Sequence, residues 1–169
     1  MVGAVFPSSR FLADKMLNHL PLKQAKVIVE LGPGTGVFTE RILKKMGEDS
    51  HLIVIELNDA FYLQLKQKFK HERCHIIHGS ATDIKTILSN LGFEKASLIV
   101  SSLPLAMIPK EVGAEILKES VNSLEVGGKF LQYQYSLQSM KHLKSHFKNV
   151  KLNFTLLNFP PAFIYTCSE

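Results

Sequence analysis

Three glycines and two acidic residues carry the chemistry that is readable first. Gly32, Gly34 and Gly36 form the run Gly32-Pro33-Gly34-Thr35-Gly36, directly after a short apolar segment at 26–31. Glycines between a strand and a helix permit positive φ and let a ligand approach the backbone. Glu30 lies just upstream, and Glu56 closes the next apolar segment, 51–56. A carboxylate at the end of a second strand can accept from both ribose hydroxyls of a nucleoside. The pattern is G-x-G-x-G behind an acid. A dinucleotide site reads G-x-G-x-x-G and rests its pyrophosphate on the helix N-terminus. A carboxylate at Glu30 would repel that pyrophosphate and attract an amino group. S-adenosylmethionine carries an ammonium, a sulfonium and a ribose but no phosphate, so charge matching selects it over NAD. The bland alternative is a tight turn that binds nothing.

Such residues need a scaffold that brings distant segments together. Strand-like and helix-like periods alternate along the 169 residues. Strands are expected over 26–31, 51–56, 74–78, 96–101 and 129–135, and helices over 37–46, 60–69, 83–91, 110–124 and 137–147. Ser8 and Ser9 are placed to cap an earlier helix that carries Phe11, Leu12, Met16 and Leu20 and ends at Pro21. Two extended segments, 150–157 and 162–167, close the chain and can pair as an antiparallel hairpin through Pro160-Pro161. The alternation predicts an α/β fold: one Rossmann-like, doubly wound, mostly parallel seven-stranded sheet with helices on both faces and an antiparallel C-terminal strand. Residues 1–169 then form a single domain, with 1–21 as an N-terminal helical lid segment, whose Leu12 and Met16 serve as core or as cover for a cofactor. Ligands of such sheets bind beyond the carboxyl ends of the strands, here after Leu31, Glu56, His78, Ser101 and Tyr135.

Val29-Glu30-Leu31-Gly32-Pro33-Gly34-Thr35-Gly36 resembles motif I of class I S-adenosylmethionine-dependent methyltransferases. Ile55-Glu56 and His78-Gly79-Ser80-Ala81-Thr82-Asp83 resemble the next two motifs of that family. The resemblance implies S-adenosylmethionine as cofactor, with Glu30, Gly32, Gly34, Gly36, Glu56, Ser80, Ala81 and Ser101 as its binding residues and Ser80 and Ala81 bracketing the adenine. Many members read Gly-Asp-Ala where this chain reads Gly79-Ser80-Ala81. Asp83 either replaces that acid or caps the helix after it.

A closer resemblance runs through Gly3-Ala-Val-Phe-Pro-Ser-Ser-Arg10, Ser101-Ser-Leu-Pro-Leu105, Gln132-Tyr-Gln-Tyr135 and Asn158-Phe-Pro-Pro-Ala162, which together are similar to bacterial phospholipid N-methyltransferases. It implies methylation of the amine of phosphatidylethanolamine. The expected reaction is in-line displacement at the sulfonium methyl, and Tyr135, at the carboxyl end of the fifth strand, and Ser101 are the candidates for orienting the amine. Members usually carry more chain before the Gly3 stretch, including an amphipathic membrane-binding helix. Either the chain is trimmed or it meets its substrate differently. Ser102 also stands where a glycine is usual. The related ribosomal RNA adenine dimethyltransferases read Asn-Leu-Pro-Tyr after the fourth strand, the amide accepting from the target amino group and the ring stacking on the flipped base. This chain reads Ser102-Leu103-Pro104-Leu105, and an aliphatic Leu105 suits an acyl-bearing or small amine. An RNA enzyme is also expected to carry a further basic region, for which 169 residues leave no room. The order of preference is lipid amine, RNA base, then other small acceptors. A non-catalytic cofactor-binding relative stays open because Ser80 and Ser102 depart from the usual residues.

Charge adds a partner. Lys and Arg number 20 against 15 Asp and Glu, a net +5, which biases the chain toward anionic partners. Lys141, Lys144 and Lys148 fall on one side of the last expected helix, and no Asp or Glu stands between Val126 and Ser168. That face is read as a peripheral contact with an acidic bilayer, or as an ordinary solvated face. The same field attracts RNA. Cys74 and Cys167 form no CxxC pair, the N-terminus lacks a secretion signal, and no run approaches the ~18 apolar residues of a span. The expected location is therefore cytoplasmic, peripheral to the inner membrane face. His71, Cys74, His75 and His78 would converge on a metal only from a helix, and a strand splits them between faces, so no metal is expected. No Ser-His-Asp order suggests hydrolysis.

Overall fold

Continuous apolar runs without an alternating polar face make strands that must be covered on both sides. The computed structural model, which describes residues 10–135, 137–155 and 162–169 but not the side chains of Phe11 and Thr155, builds its sheet on such runs. They are β1 (Val27–Leu31), β2 (His51–Glu56) and β4 (Ala96–Ser101), flanked by the more polar β3 (Cys74–His78) and β5 (Leu124–Gln134). Helices α2 (Val37–Lys45), α3 (Asp59–Lys68), α4 (Ile84–Asn90) and α5 (Lys110–Ser123) connect them, with a 3-10 turn at Ala81–Asp83 before α4. Before them comes α1 (Arg10–Leu17), and after them α6 (Met140–His146), β6 (Asn149–Thr155) and β7 (Ala162–Ser168).

The seven strands lie in the order β3-β2-β1-β4-β5-β7-β6. β1 to β5 are parallel, and β7 runs antiparallel to both β5 and β6. The chain winds outward from β1 in one direction and from β4 in the other. The switch point therefore falls between β1 and β4, where such sheets bind ligands.

Two apolar layers cover the sheet. Val29, Leu31, Ile99, Phe130, Leu143 and Phe147 belong to one, with α4, α5 and α6. Ile28, Val54, Leu98, Leu131, Phe38 and Ile42 belong to the other, with α1 and α2. Leu12 and Met16 take the core alternative: both are buried in this second layer. Asp14 on α1 pairs with Arg41 and Lys45 of α2 at 3.4 and 3.2 Å, tying the two helices together.

Most element ends shift by a residue or two, and the larger departures from expectation fall at α1, β5 and the last helix. Leu20 lies beyond α1. β5 starts at Leu124 instead of 129, because β4 offers it a partner and the pairing absorbs Gly127-Gly128 as a register shift between Ala96 and Leu98. The last helix is shorter than the expected 137–147, running from Met140 to His146, and Lys148 lies beyond its end. The capping residues Ser8 and Ser9, the Gly3 stretch, Pro160-Pro161 and most of the Asn158 motif lie outside the described residues.

Candidate active site

The carboxyl ends of the central strands are aligned by register: Leu31 pairs Ile55 and Ser101, Glu56 pairs His78, and Ser101 pairs Gln132. Ladder bonds continue one residue further. Gly32 N–H donates to Ile55 O, Gly79 N–H to Glu56 O and Ser102 N–H to Leu31 O, at 3.1, 3.1 and 2.9 Å. The loop origins are therefore fixed by the sheet.

The glycine loop has φ +65° at Gly32, +55° at Gly34 and +79° at Gly36, a region costly for residues with a Cβ. The three then divide their roles. A Cβ on Gly32 would lie 2.5 Å from Leu103 Cδ2, and one on Gly36 2.5 Å from Phe69 Cε2, so neither position has room for a side chain. A Cβ on Gly34 would meet nothing within 4 Å, leaving open space over the middle of the loop. Gly34 N–H donates to Glu56 Oε2 at 3.2 Å, and Asn58 N–H to Glu56 Oε1 at 2.8 Å. Each carboxylate oxygen keeps a lone pair for a further donor. Asn58 also caps α3 by accepting from Phe61 N–H.

Glu30 is the only acid on β1. It faces the side opposite Val29 and Leu31 and lies under the first turn of α2, where Thr39 Oγ1 donates to its Oε2 at 2.7 Å. It is fully buried, and Oε1 has no partner. Burial pushes its carboxyl up to about 8, the nearby Glu56 charge adding to the rise and the Thr39 bonds opposing it.

Beyond β4 and β5 a second set of polar groups gathers. Ser101 is buried, and its hydroxyl accepts from Leu103 N–H at 3.4 Å. Gln132 donates through Nε2 to Leu103 O at 2.9 Å and Tyr133 O at 2.8 Å, and Gln134 donates to Leu103 O at 3.3 Å. These two amides hold the 101–105 loop against β5. Their signal in the sequence is two glutamines at strand spacing in an otherwise apolar and aromatic run. Ser102 Oγ and Gln132 Oε1 are buried without partners. With Glu30 Oε1, three orphaned polar atoms thus occur near the carboxyl ends of three adjacent strands, β1, β4 and β5. Burial without a partner is costly, and a bound ligand can relieve it.

The remaining predicted residues are placed as follows. Ser80 caps the 3-10 turn, accepting from Thr82 N–H at 3.2 Å and from Thr82 Oγ1 at 2.8 Å, and Ala81 packs on the core. Asp83 precedes α4 but makes no side-chain cap bond there. Tyr135 follows β5, half-buried and edge-on to Tyr133 at 5.9 Å, and Tyr133 stacks on Phe38 at 5.7 Å. Leu105 is only 8% exposed and packs in the core. Lys141, Lys144 and Lys148 are exposed, with Leu143 and Phe147 buried between them. Among the described residues no group of three or more His, Cys, Asp or Glu is placed to hold a metal. His78 pairs instead with Asp59 at 3.1 Å, and His75 stacks on His51. Among the described residues no helix is long and apolar enough to cross a membrane.

The donor set fits a cationic nucleoside. Glu30 offers an unpartnered oxygen, Glu56 spare acceptor capacity, and Gly34 the room for a ligand to approach. A pyrophosphate would instead meet the Glu56 carboxylate and find no basic side chain among these groups. Comparison with known proteins agrees. The chain is 30% identical over 168 residues to an ornithine lipid N-methyltransferase of Singulisphaera acidiphila, covering 98% of this chain and 88% of that one. It is 29% identical over 117 residues to the ribosomal RNA small subunit methyltransferase A of Mycoplasma mycoides, covering 68% of this chain but only 41% of that enzyme. Aeropyrum pernix fibrillarin, solved with natively bound S-adenosyl-L-methionine, shares the fold with a TM-score of 0.68 at 17% identity, over 93% of this chain and 72% of its own. The family model for ribosomal RNA adenine dimethylase matches residues 2–147, and the chain belongs to that family of S-adenosylmethionine-dependent methyltransferases.

Proposed function

We propose that the chain is an N-methyltransferase acting on a lipid amine, a headgroup of the phosphatidylethanolamine type. S-adenosylmethionine supplies, when bound, a methyl group on a cationic sulfur. Glu30, Gly32, Gly34, Gly36, Glu56, Ser80, Ala81 and Ser101 are assigned to hold it, Glu30 toward the amino group and Glu56 toward the ribose. Ser101 and Tyr135 orient the acceptor amine, which must shed its proton before it has a lone pair to offer. Gln132 and Gln134 fix the loop against which that amine rests. The protein's main contribution is alignment, worth roughly 7–11 kcal/mol at best.

The observation that carries this reading is the chemistry beyond β4. Ser102-Leu103-Pro104-Leu105 provides a hydroxyl without a partner and a leucine turned into the core. It has neither the amide that would accept from an adenine amino group nor the ring that would stack on a flipped base. The similarity to a lipid N-methyltransferase over nearly the whole chain supports the same choice. Methylation of an adenine amino group in ribosomal RNA is the competing reading, favoured by the family match over residues 2–147.

The test is transfer of label. The protein is incubated with methyl-labelled S-adenosylmethionine and, separately, total bacterial lipid dispersed in detergent and total RNA. Label in a lipid with a primary amine is the expected result. Label confined to RNA establishes the competing reading, and tight cofactor binding without transfer makes the chain a non-catalytic relative.

A further inference from the structure

Away from the glycine loop, a groove of about 580 Å³ runs between α1 and the face of β5, β7 and β6 that α1 leaves uncovered. Its charge is one-sided. Lys15 lines it from α1, His19 from the turn after that helix, Lys129 from β5 and Lys151 from β6, and no Asp or Glu is among its described lining residues. The acid on α1, Asp14, is engaged with Arg41 and Lys45, and Glu169 is exposed at the end of the chain with its main-chain oxygen accepting from Asn149. The groove also has apolar lining: Met16 and Ile164 are buried and belong to the core, with Leu20 and the half-exposed Phe154 beside them. Lys15 Nζ donates to Phe154 O at 3.4 Å, bridging helix and edge strand. Thr166 and Ser168 add hydroxyls between the lysines.

Cations over an apolar floor match an anionic amphiphile. We propose that this groove docks the enzyme on a membrane by taking the phosphate of an acidic phospholipid between Lys15, Lys129 and Lys151, with the start of an acyl chain over Met16, Leu20 and Ile164. This choice of a bilayer over a nucleic acid rests on the lipid-amine reading above. It moves the docking surface away from Lys141 and Lys144, because α6 packs on the layer with Phe130 and Phe147 whereas the groove lies on the layer with Met16 and Ile164.

Binding is measured by co-sedimentation of the whole protein, without turnover, on vesicles of phosphatidylcholine alone and of phosphatidylcholine with phosphatidylglycerol. The variants are Lys129→Gln/Lys151→Gln and, on the opposite face, Lys141→Gln/Lys144→Gln. Calorimetric affinity for S-adenosylhomocysteine confirms that each remains folded. The expected result is binding that requires phosphatidylglycerol, falls about thirtyfold in the groove variant and is retained in the α6 variant. Equal losses in both variants, or none in the groove variant, overturn the proposal. So does a groove variant that loses RNA binding in fluorescence anisotropy but keeps its vesicle binding. Label in lipid with an unaffected groove variant sinks the groove alone. Label in RNA with a groove variant that no longer sediments sinks the acceptor reading alone.

Discussion

Replacing Glu30 by Gln tests the electrostatics of the site directly. The folded carboxyl keeps its proton up to about pH 8, whereas an unfolded one loses it near 4.5. The folded state therefore binds more protons across that window, and stability falls as pH rises through it, with the full cost reached above the folded value. A single site with these two constants costs wild type about 3 kcal/mol between about pH 6 and pH 9. For a chain of this size that is roughly 5–10 °C of melting temperature. Glutamine keeps an acceptor for Thr39 Oγ1, which now bonds Glu30 Oε2, but does not ionise. The assay is urea unfolding of both proteins at several pH values. Their difference isolates Glu30 from the other titrating groups, and Glu30→Gln should overtake wild type as pH rises. A difference that stays flat from about pH 6 to pH 9 refutes the buried neutral acid. A cofactor ammonium near this carboxyl would favour its ionised form, so cofactor binding near neutral pH should release close to one proton. Calorimetry in buffers of different ionisation heat reads that number, and no release removes Glu30 from the cofactor's amino group while leaving the stability argument intact.

Glu56→Ala should weaken binding of S-adenosylhomocysteine by about 2–4 kcal/mol in calorimetry, through lost charge-assisted bonds and the stranded Gly34 and Asn58 N–H groups. Unchanged affinity rejects the ribose assignment. Gly34→Val should abolish that binding because its side chain would fill the open space over the loop, and its branched Cβ at φ +55° should cost some stability as well. Gly36→Ala should instead cost about 1–3 kcal/mol of stability, because the new methyl collides with Phe69 and Leu65. A Gly34→Val protein that binds normally reduces the loop to a turn.

What the sequence reveals depends on whether one element carries the whole signal. β3 and β4 match the expected 74–78 and 96–101 because each is a short run bounded by turn residues. The glycine loop and Glu56 were legible for the same reason: strand, turn and helix are contiguous, and the acid sits at the end of its own strand. The start of β5 was not, since Glu125-Val-Gly-Gly-Lys129 reads locally as a turn and becomes strand only against β4. Glu30 could be placed at the site, but its neutrality follows from Thr39 and α2 closing over it, which no pattern along β1 states. The burial of Leu105 was not legible either, because the sequence shows its loop but not its orientation. The groove shows the limit most clearly. Helical periodicity picks out Lys141 and Lys144 because they share one helix. Lys129 and Lys151 sit on strands that never pair with each other. They come to one face only because β7 inserts between β5 and β6, with Thr166 registered against Leu131 on one side and Lys151 on the other. Strand order, set by tertiary pairing, is what converts scattered lysines into a site, so the decisive cations here are the ones that helical spacing cannot find.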